Sequence, residues 1–423
     1  MIIGPLVSLP RKRLAATLAA ITAFAWAAIA VFAVSLAPST WVQLPPIPQA
    51  GKSAILAIAV NPVNNQVVIA GTAQGSLMRS SDGGLSWAVA HAGSSGLLTI
   101  AYSPVKTGLV LAGTRGSGAL ISNDGGATWA AVKGLEGRSV RAFAFALTFM
   151  AAGTDHGVYV SADGLTWRQS GLATISIGSL AVAAIHDPVR LVAGSDAAST
   201  IGGVPLFQST DGGTTWAQMK ASISGKVVSS IVAGPLPPTV LIRPLIVGTN
   251  AGLFSSRDNG VTFTPNSGGG LLPSTDYTQV AFVTTHFDRF YTASDGGGSA
   301  SGGLWKTTDA GKHFTSLAPP MPSVTGLAVS NDEAPILYVA TFRPADQTPV
   351  LWAYRDTGGT PQGPPSTPTP SASGPRTSTP GAVAPSGISQ LLSSSQTPYI
   401  AIGLVALIVI LLAVVAHFRG RRG

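Results

Sequence analysis

The chain has 423 residues, 45% of them hydrophobic and only 10% charged, with 50 glycines, 31 prolines and no cysteine. Such a composition is neither a disordered acidic tail nor a disulfide scaffold, and it excludes thiolate zinc sites, iron–sulfur clusters and cysteine nucleophiles. The net charge of +8 suggests nucleic-acid binding only until the charges are placed. Arg11, Lys12 and Arg13 stand at one end, Arg419, Arg421 and Arg422 at the other, and Arg376 in a proline-rich stretch, while residues 38–357 carry 18 basic against 17 acidic residues. The excess is therefore terminal, which argues for membrane topology; no nucleic-acid partner is expected.

Residues 14–37 (LAATLAAITAFAWAAIAVFAVSLA) are uncharged and long enough to cross a hydrocarbon core of about 30 Å. The preceding Arg11, Lys12 and Arg13 and the small residues Ser35 and Ala37 also fit a cleaved signal peptide. Against cleavage stand the length of the apolar run and Pro38 directly after Ala37, so an uncleaved anchor is the expectation.

One octapeptide then recurs through the middle of the chain. Ser80–Trp87 reads SSDGGLSW, Ser122–Trp129 SNDGGATW and Ser209–Trp216 STDGGTTW; Ser161–Trp167 is SADGLTW, one residue shorter. Two weaker copies are Ser256–Phe263 (SRDNGVTF) and Thr307–Phe314 (TTDAGKHF). The terminal aromatics are 42, 38, 49, 47 and 51 residues apart, the spacing of one four-stranded propeller blade per repeat. Each copy follows a strand-like run, a GT-type turn and a second short strand, as in LVLAGTRGSGALIS and LIVGTNAGLFSS. The hydroxyl and the carboxylate two residues on can accept hydrogen bonds from their own turn, and glycine supplies the backbone angle that other residues resist.

These octapeptides resemble the Asp-box (BNR) repeats of sialidase-like and related β-propellers, over most of residues 38–357. Residues 324–356 have the three leading strands of a further repeat without the box, and Ser39–Leu44 (STWVQL) resembles the closing strand Thr214–Met219 (TTWAQM). The expected fold is therefore all-β: a seven-bladed propeller whose last blade takes its outer strand from the N-terminal end of the domain, with a six-bladed ring as the alternative.

Residues 358–398 form a Pro/Ser/Thr-rich stretch with too few apolar residues for a core; it reads as a stalk that holds the body away from the bilayer. A second apolar run, 399–416, and a basic tail, 417–423, complete the chain. The positive-inside bias places both termini in the cytoplasm and the propeller on the extracytoplasmic side of the cell membrane.

In propellers of the resembled kind the box lies on the face opposite the ligand-binding mouth. Asp82, Asp124, Asp163, Asp211, Asp258 and Asp309 are accordingly structural, and no residue is assigned as catalytic. The opposite rim collects Arg115, Asp155, His156, Asp196, Asn250 and Asp295 from the turns after each second strand. The inter-blade links add Glu136 and Arg138, together with Lys133, Lys220 and Asp276. For any one of these Asp or Asn residues a local turn role competes with ligand binding. The six histidines show no ligand spacing and no phosphate-loop pattern occurs, so no metal or cofactor is expected.

The resemblance to sialidases implies an arginine triad and a tyrosine–glutamate pair. This chain has only two glutamates, Glu136 and Glu333, and no Arg-Ile-Pro motif. Xyloglucanases of this architecture need only two converging carboxylates, for which Asp155, Asp196, Asp295 and Glu136 are candidates. A second resemblance is to the photosystem II assembly and stability factors, non-catalytic seven-bladed propellers that bind a membrane-protein partner. Their basic patch has no match here residue by residue, so no photosynthetic role follows. The expected function is a membrane-tethered module that binds a protein or an envelope polysaccharide through its rim. The alternatives are a surface glycoside hydrolase and a passive envelope spacer.

Overall fold

The computed structural model describes residues 36–359, except 185–188, 197–204, 220–222, 224–226, 239–241, 267–268, 273–274 and 297–301. The two apolar runs lie outside the described residues except for Leu36 and Ala37, as do the stalk beyond residue 359, the basic tail, Lys220 and most of the glycine-rich loop 296–303. Among the described residues no helix is long and apolar enough to cross a membrane.

Seven four-stranded antiparallel sheets stand in chain order as the blades of a propeller. The inner strands are Ala57–Asn61, Leu97–Tyr102, Val140–Phe145, Ile177–Ala184, Val228–Ala233, Gln279–Phe282 and Val324–Val329 for blades 1 to 7. In blades 1 to 6 the four strands are consecutive in sequence. Blade 7 takes three strands from Val324–Arg355 and its outer strand, Trp41–Gln43, from the other end of the domain. Trp41 pairs with Tyr354, Val42 with Ala353 and Gln43 with Trp352, which closes the ring and excludes the six-bladed alternative.

Because strands alternate direction, every blade puts its first-to-second and third-to-fourth turns at one end of the ring. Its second-to-third turn and its link to the next blade lie at the other. The octapeptides occupy third-to-fourth turns. In blade 2 the Ser122 hydroxyl donates to Asp124 Oδ1 at 2.8 Å and accepts from Gly126 N–H at 2.8 Å, while Asp124 accepts from the Ala127 and Thr128 N–H groups, both at 2.9 Å. Gly126 has φ 87°, and a Cβ there would sit 2.2 Å from Ile69 Cδ1 of the preceding blade, so both angle and space demand glycine.

The aromatic that ends each octapeptide enters the seam with the preceding blade. Trp167 packs with Leu109, Leu111 and Ile121 of blade 2, Phe263 with Val192 and Leu206 of blade 4, and Phe314 with Ile246 and Leu253 of blade 5. Trp41 does the same for blade 7. It is fully buried among Tyr291, Leu304 and Leu317 of blade 6, and its indole N–H donates to the Leu317 carbonyl at 2.9 Å. Burying such rings supplies the apolar area that binds one sheet to the next. At the other end of the seam Gly113 lets blade 3 approach closely, since a Cβ on it would meet the Val140 carbonyl oxygen at 2.3 Å.

Candidate functional site

The octapeptide carboxylates are occupied by their own turns. For Asp124 burial alone would raise the pKa, but hydrogen bonds from the Thr128 side chain and backbone and from Ser122 outweigh it and bring it down to about 2. At Asp211 the hydrogen bond from Thr215 is the largest influence, and again the value falls to about 2. Burial raises and the Thr262 hydrogen bonds lower Asp258, also to about 2. Asp82, Asp163 and Asp309 are depressed as well. A carboxylate so held is a poor proton donor near neutral pH.

At the opposite end, Arg115, Asp155, Asp196, Asn250 and Asp295 hold equivalent positions just after their blades' second strands. Four of them show the same backbone link: the amides of Arg115, Asp155, Asp196 and Asn250 donate to Gly96, Ser139, Ser176 and Val227, residues that lead into the inner strand of the same blade. The Asp155 carboxylate accepts from Ser139 N–H at 3.1 Å and the Asn250 side-chain oxygen from Val227 N–H at 3.0 Å. Both side chains therefore fasten turn to strand. His156 is exposed, with Nδ1 3.4 Å from Asp155 Oδ1. Glu136 is exposed in the blade 2–3 link and accepts from Gly134 N–H, while the Arg138 carbonyl accepts from Gly118 N–H in the blade 2 turn. Lys133 does not join the rim: its backbone pairs with Thr166 beside the octapeptide turn of blade 3.

The convergent groups lie further in, where the inner strands enter the central channel. A register shift at the second residue of five inner strands leaves Leu98, Arg141, Gly178, Ser229 and Thr325 as extra residues in their ladders. Bulges of this kind re-aim a side chain out of the sheet pattern. Arg141, Gly178, Ser229 and Leu98 line a channel cavity of about 380 Å³ that all seven blades border.

This mouth has two unlike halves. Blades 3 to 6 give a polar arc. Arg141 Nε lies 3.3 Å from Asp196 Oδ2 and its Nη1 donates to Ser176 Oγ at 3.2 Å; the Ser229 hydroxyl donates to Asp276 Oδ1 at 3.1 Å; Thr278 adds a hydroxyl at the mouth, while Phe143, Leu180 and Ile231 of the same blades line the channel further in. Burial raises the Asp276 pKa above the ordinary carboxylate value; the Ser229 hydrogen bond opposes this and the nearby Asp295 charge reinforces it. At the mouth, blades 1 and 2 give an apolar arc of Leu56 and Leu98; beneath it Ile58, Ile100 and Leu327 join Phe143, Leu180 and Ile231 in an apolar ring round the channel. The Arg141–Asp196 pair is about one-third exposed and thus open to an incoming polar group.

Of the residues singled out from the sequence, Asp196, Asp276 and Asp295 take part in this mouth, Asp155 and Asn250 are committed to the backbone, and Arg115, Glu136, Arg138 and His156 stand on the outer rim. Arg141 was missed, although a lone cation inside the apolar inner-strand run SVRAFAF was a legible signal. Among the described residues no group of three or more His, Asp or Glu side chains is arranged to hold a metal ion.

No family model and no curated protein matches the chain. The fold itself is well represented among solved structures. YCF48 bound to D1 peptide superposes with a TM-score of 0.52 at 17% identity, over 78% of this chain and 99% of that one. An ancestral GH74 enzyme gives 0.54 at 16%, over 74% of this chain and 48% of the enzyme, so the chain spans about half that enzyme's length. The WD40 repeats of RRP9 give 0.57 at 14%, over 76% and 99%. At these identities the likeness establishes the seven-bladed propeller and nothing finer.

Proposed function

We propose that this protein is a membrane-tethered, extracytoplasmic propeller of Asp-box repeats that binds a peptide segment of a protein partner at the channel mouth and catalyses nothing. The observation that carries the reading is the outermost ring of the mouth, polar at Arg141, Ser229 and Thr278, with Asp196 and Asp276 behind the first two, and apolar at Leu56 and Leu98. An amphipathic segment satisfies both at once, its apolar side chains against the leucines and its hydrogen-bonding groups against the ion pair. YCF48, whose whole length this fold matches, is seen with a peptide bound, and this supports the same class of ligand here. The terminal basic clusters and apolar runs support the tether and the orientation with both termini cytoplasmic.

Photo-crosslinkers placed at Leu98 and Ser229 in intact cells, with Asp82 at the other end of the ring as control, test this. A discrete protein adduct from the first two positions and none from the third is the expected result; no adduct from either mouth position would sink the peptide-binding reading. In the adduct assay Arg141→Ala lowers the yield about tenfold or more, while a change at exposed Arg115 leaves it within about twofold.

One observation favours a second reading. Asp276, with its raised pKa and the Asp295 charge beside it, has the character of a general acid near a second carboxylate. Sugar release from xyloglucan by the intact chain, abolished in Asp276→Asn, would support a glycoside hydrolase instead.

A further inference from the structure

Both ends of the described chain leave the propeller at the octapeptide end of the ring. The outer strand of blade 7 begins there at Trp41, and the preceding Pro38 bridges Arg355, the last residue of the neighbouring strand. Ser39 Oγ lies 3.0 Å from Thr357 Oγ1, so the two ends depart side by side. Leu36 is already buried in the core with Leu44, Ile47 and Tyr338. The apolar run 14–37 thus ends inside the propeller, and only Pro38, Ser39 and Thr40 separate it from the first strand. Three residues reach at most about 10 Å.

The same end carries most of the exposed large apolar side chains. Of nine such residues among those described, Val63, Val105 and Leu147 lie in first-to-second turns and Leu85, Leu165 and Val261 in octapeptide turns, with exposures from 75% at Val63 to 40% at Leu85. Five of the six stand on blades 1 to 3, running round from the closing blade where the chain ends emerge. The charges of this end are mixed, the six octapeptide aspartates, Asp288, Asp332 and Glu333 against Lys106, Arg168, Arg190, Arg257 and Lys312.

From this geometry we infer that the octapeptide end docks on the lipid bilayer, with its exposed Val and Leu side chains in the interfacial layer and the channel mouth directed away from the membrane. The inference rests on the tether proposed above. The short N-terminal connection sets the spacing, and the long stalk on the other side only has to return the chain to the bilayer. An apolar end held this close buries its side chains among headgroups and upper acyl chains, because that removes them from water. The mixed charge means that contact does not depend on anionic lipid or on low salt.

The absence of cysteine in the chain makes the test clean, because each introduced thiol is unique. Full-length Val63→Cys, Leu147→Cys and Val261→Cys, with Arg115→Cys on the opposite rim, are labelled with an environment-sensitive fluorophore and reconstituted in vesicles of phosphatidylcholine and phosphatidylglycerol. Spin-labelled phosphatidylcholine quenches the label where it touches lipid. Severalfold stronger quenching at the three octapeptide-end positions than at Arg115, unchanged in high salt, is the expected result. A hydrophilic spacer inserted between Ser35 and Leu36, upstream of the buried leucine, should bring these positions down to the Arg115 level while the protein still floats with the vesicles. Equal quenching at all four positions in floating protein overturns the docking but leaves the tether intact. Protein that does not float with the vesicles overturns both.

Discussion

Blades 1 to 6 and blade 7 solve the same packing problem by different means. In the first six, a turn within one continuous stretch of chain holds its own aspartate, as Ser122, Gly126 and Thr128 hold Asp124. In blade 7 the aspartate at the corresponding place, Asp356, keeps one local donor, the Gly358 N–H at 3.0 Å, and is otherwise fully buried against blade 6. Arg289 Nη2 approaches its Oδ2 at 3.0 Å, Lys306 Nζ its Oδ1 at 2.8 Å, and the Tyr291 hydroxyl donates to Oδ2 at 2.7 Å. Its outer strand is likewise borrowed, with Trp41 in the seam where the other blades place the octapeptide aromatic. Where chain continuity is missing, long-range contacts replace the local cap, and the ring's integrity concentrates on two residues.

The largest expected effect is at Asp356. Asp356→Ala leaves the partly buried Arg289 and Lys306 without their counter-charge, and unfolding of the intact chain in urea should show a loss of about 3 kcal/mol. Burial alone would raise the Asp356 pKa, but the Lys306 and Tyr291 hydrogen bonds bring it down to about 2. A folded-state value below the unfolded value of about 3.9 means that this contribution is complete above about pH 4 and is lost as pH falls toward 2. Asp356→Asn should flatten that part of the acid profile; an unchanged profile would show that the closing cluster is not what acid disrupts.

Trp41→Ala is comparable, at about 3 kcal/mol for a fully buried indole whose hydrogen bond is also lost. The equivalent change in an internal blade, Trp129→Ala, starts from a half-buried ring and should cost visibly less in the same titration. Equal losses would erase the distinction between closing and internal blades. Asp124→Ala is smaller again, about 1–2 kcal/mol, since several backbone donors can turn to water instead. The smallest effect is a gain. Ala310 occupies the first glycine position of the sixth octapeptide with φ 62°, so Ala310→Gly should raise the stability by about 1 kcal/mol, read as a higher urea midpoint with unchanged slope.

The repeat made the architecture readable. The spacing of Trp87 to Phe314 gave blade size, and the match between Ser39–Leu44 and Thr214–Met219 pointed to the borrowed strand, because both are local patterns that recur. The channel mouth was less legible. Arg141 reaches the cavity through a one-residue shift in its ladder, and apolar alternation does not record such shifts. Asp155 and Asn250 looked equivalent to Asp196, yet two of the three side chains reach back to the backbone and one reaches across to Arg141. That choice depends on which residue the neighbouring blade presents. Asp356 has partners 50 to 67 positions away, beyond any pattern within one repeat.

The side-by-side departure of the chain ends at Ser39 and Thr357 also makes the molecule directional under load. Tension that draws the two ends apart falls first on the buried Leu36, then on the Pro38–Arg355 bridge and on three strand pairs in succession, so it unzips the closing strand instead of shearing it. Tension that draws both ends the same way leaves those pairs unloaded. In a single-molecule pulling measurement the force that opens the ring should therefore be lower between the two ends than between one end and blade 3; equal forces would refute this. Under the tether proposed above, two anchors that spread laterally in a stretched bilayer would peel the propeller open, and two that move together would leave it shut.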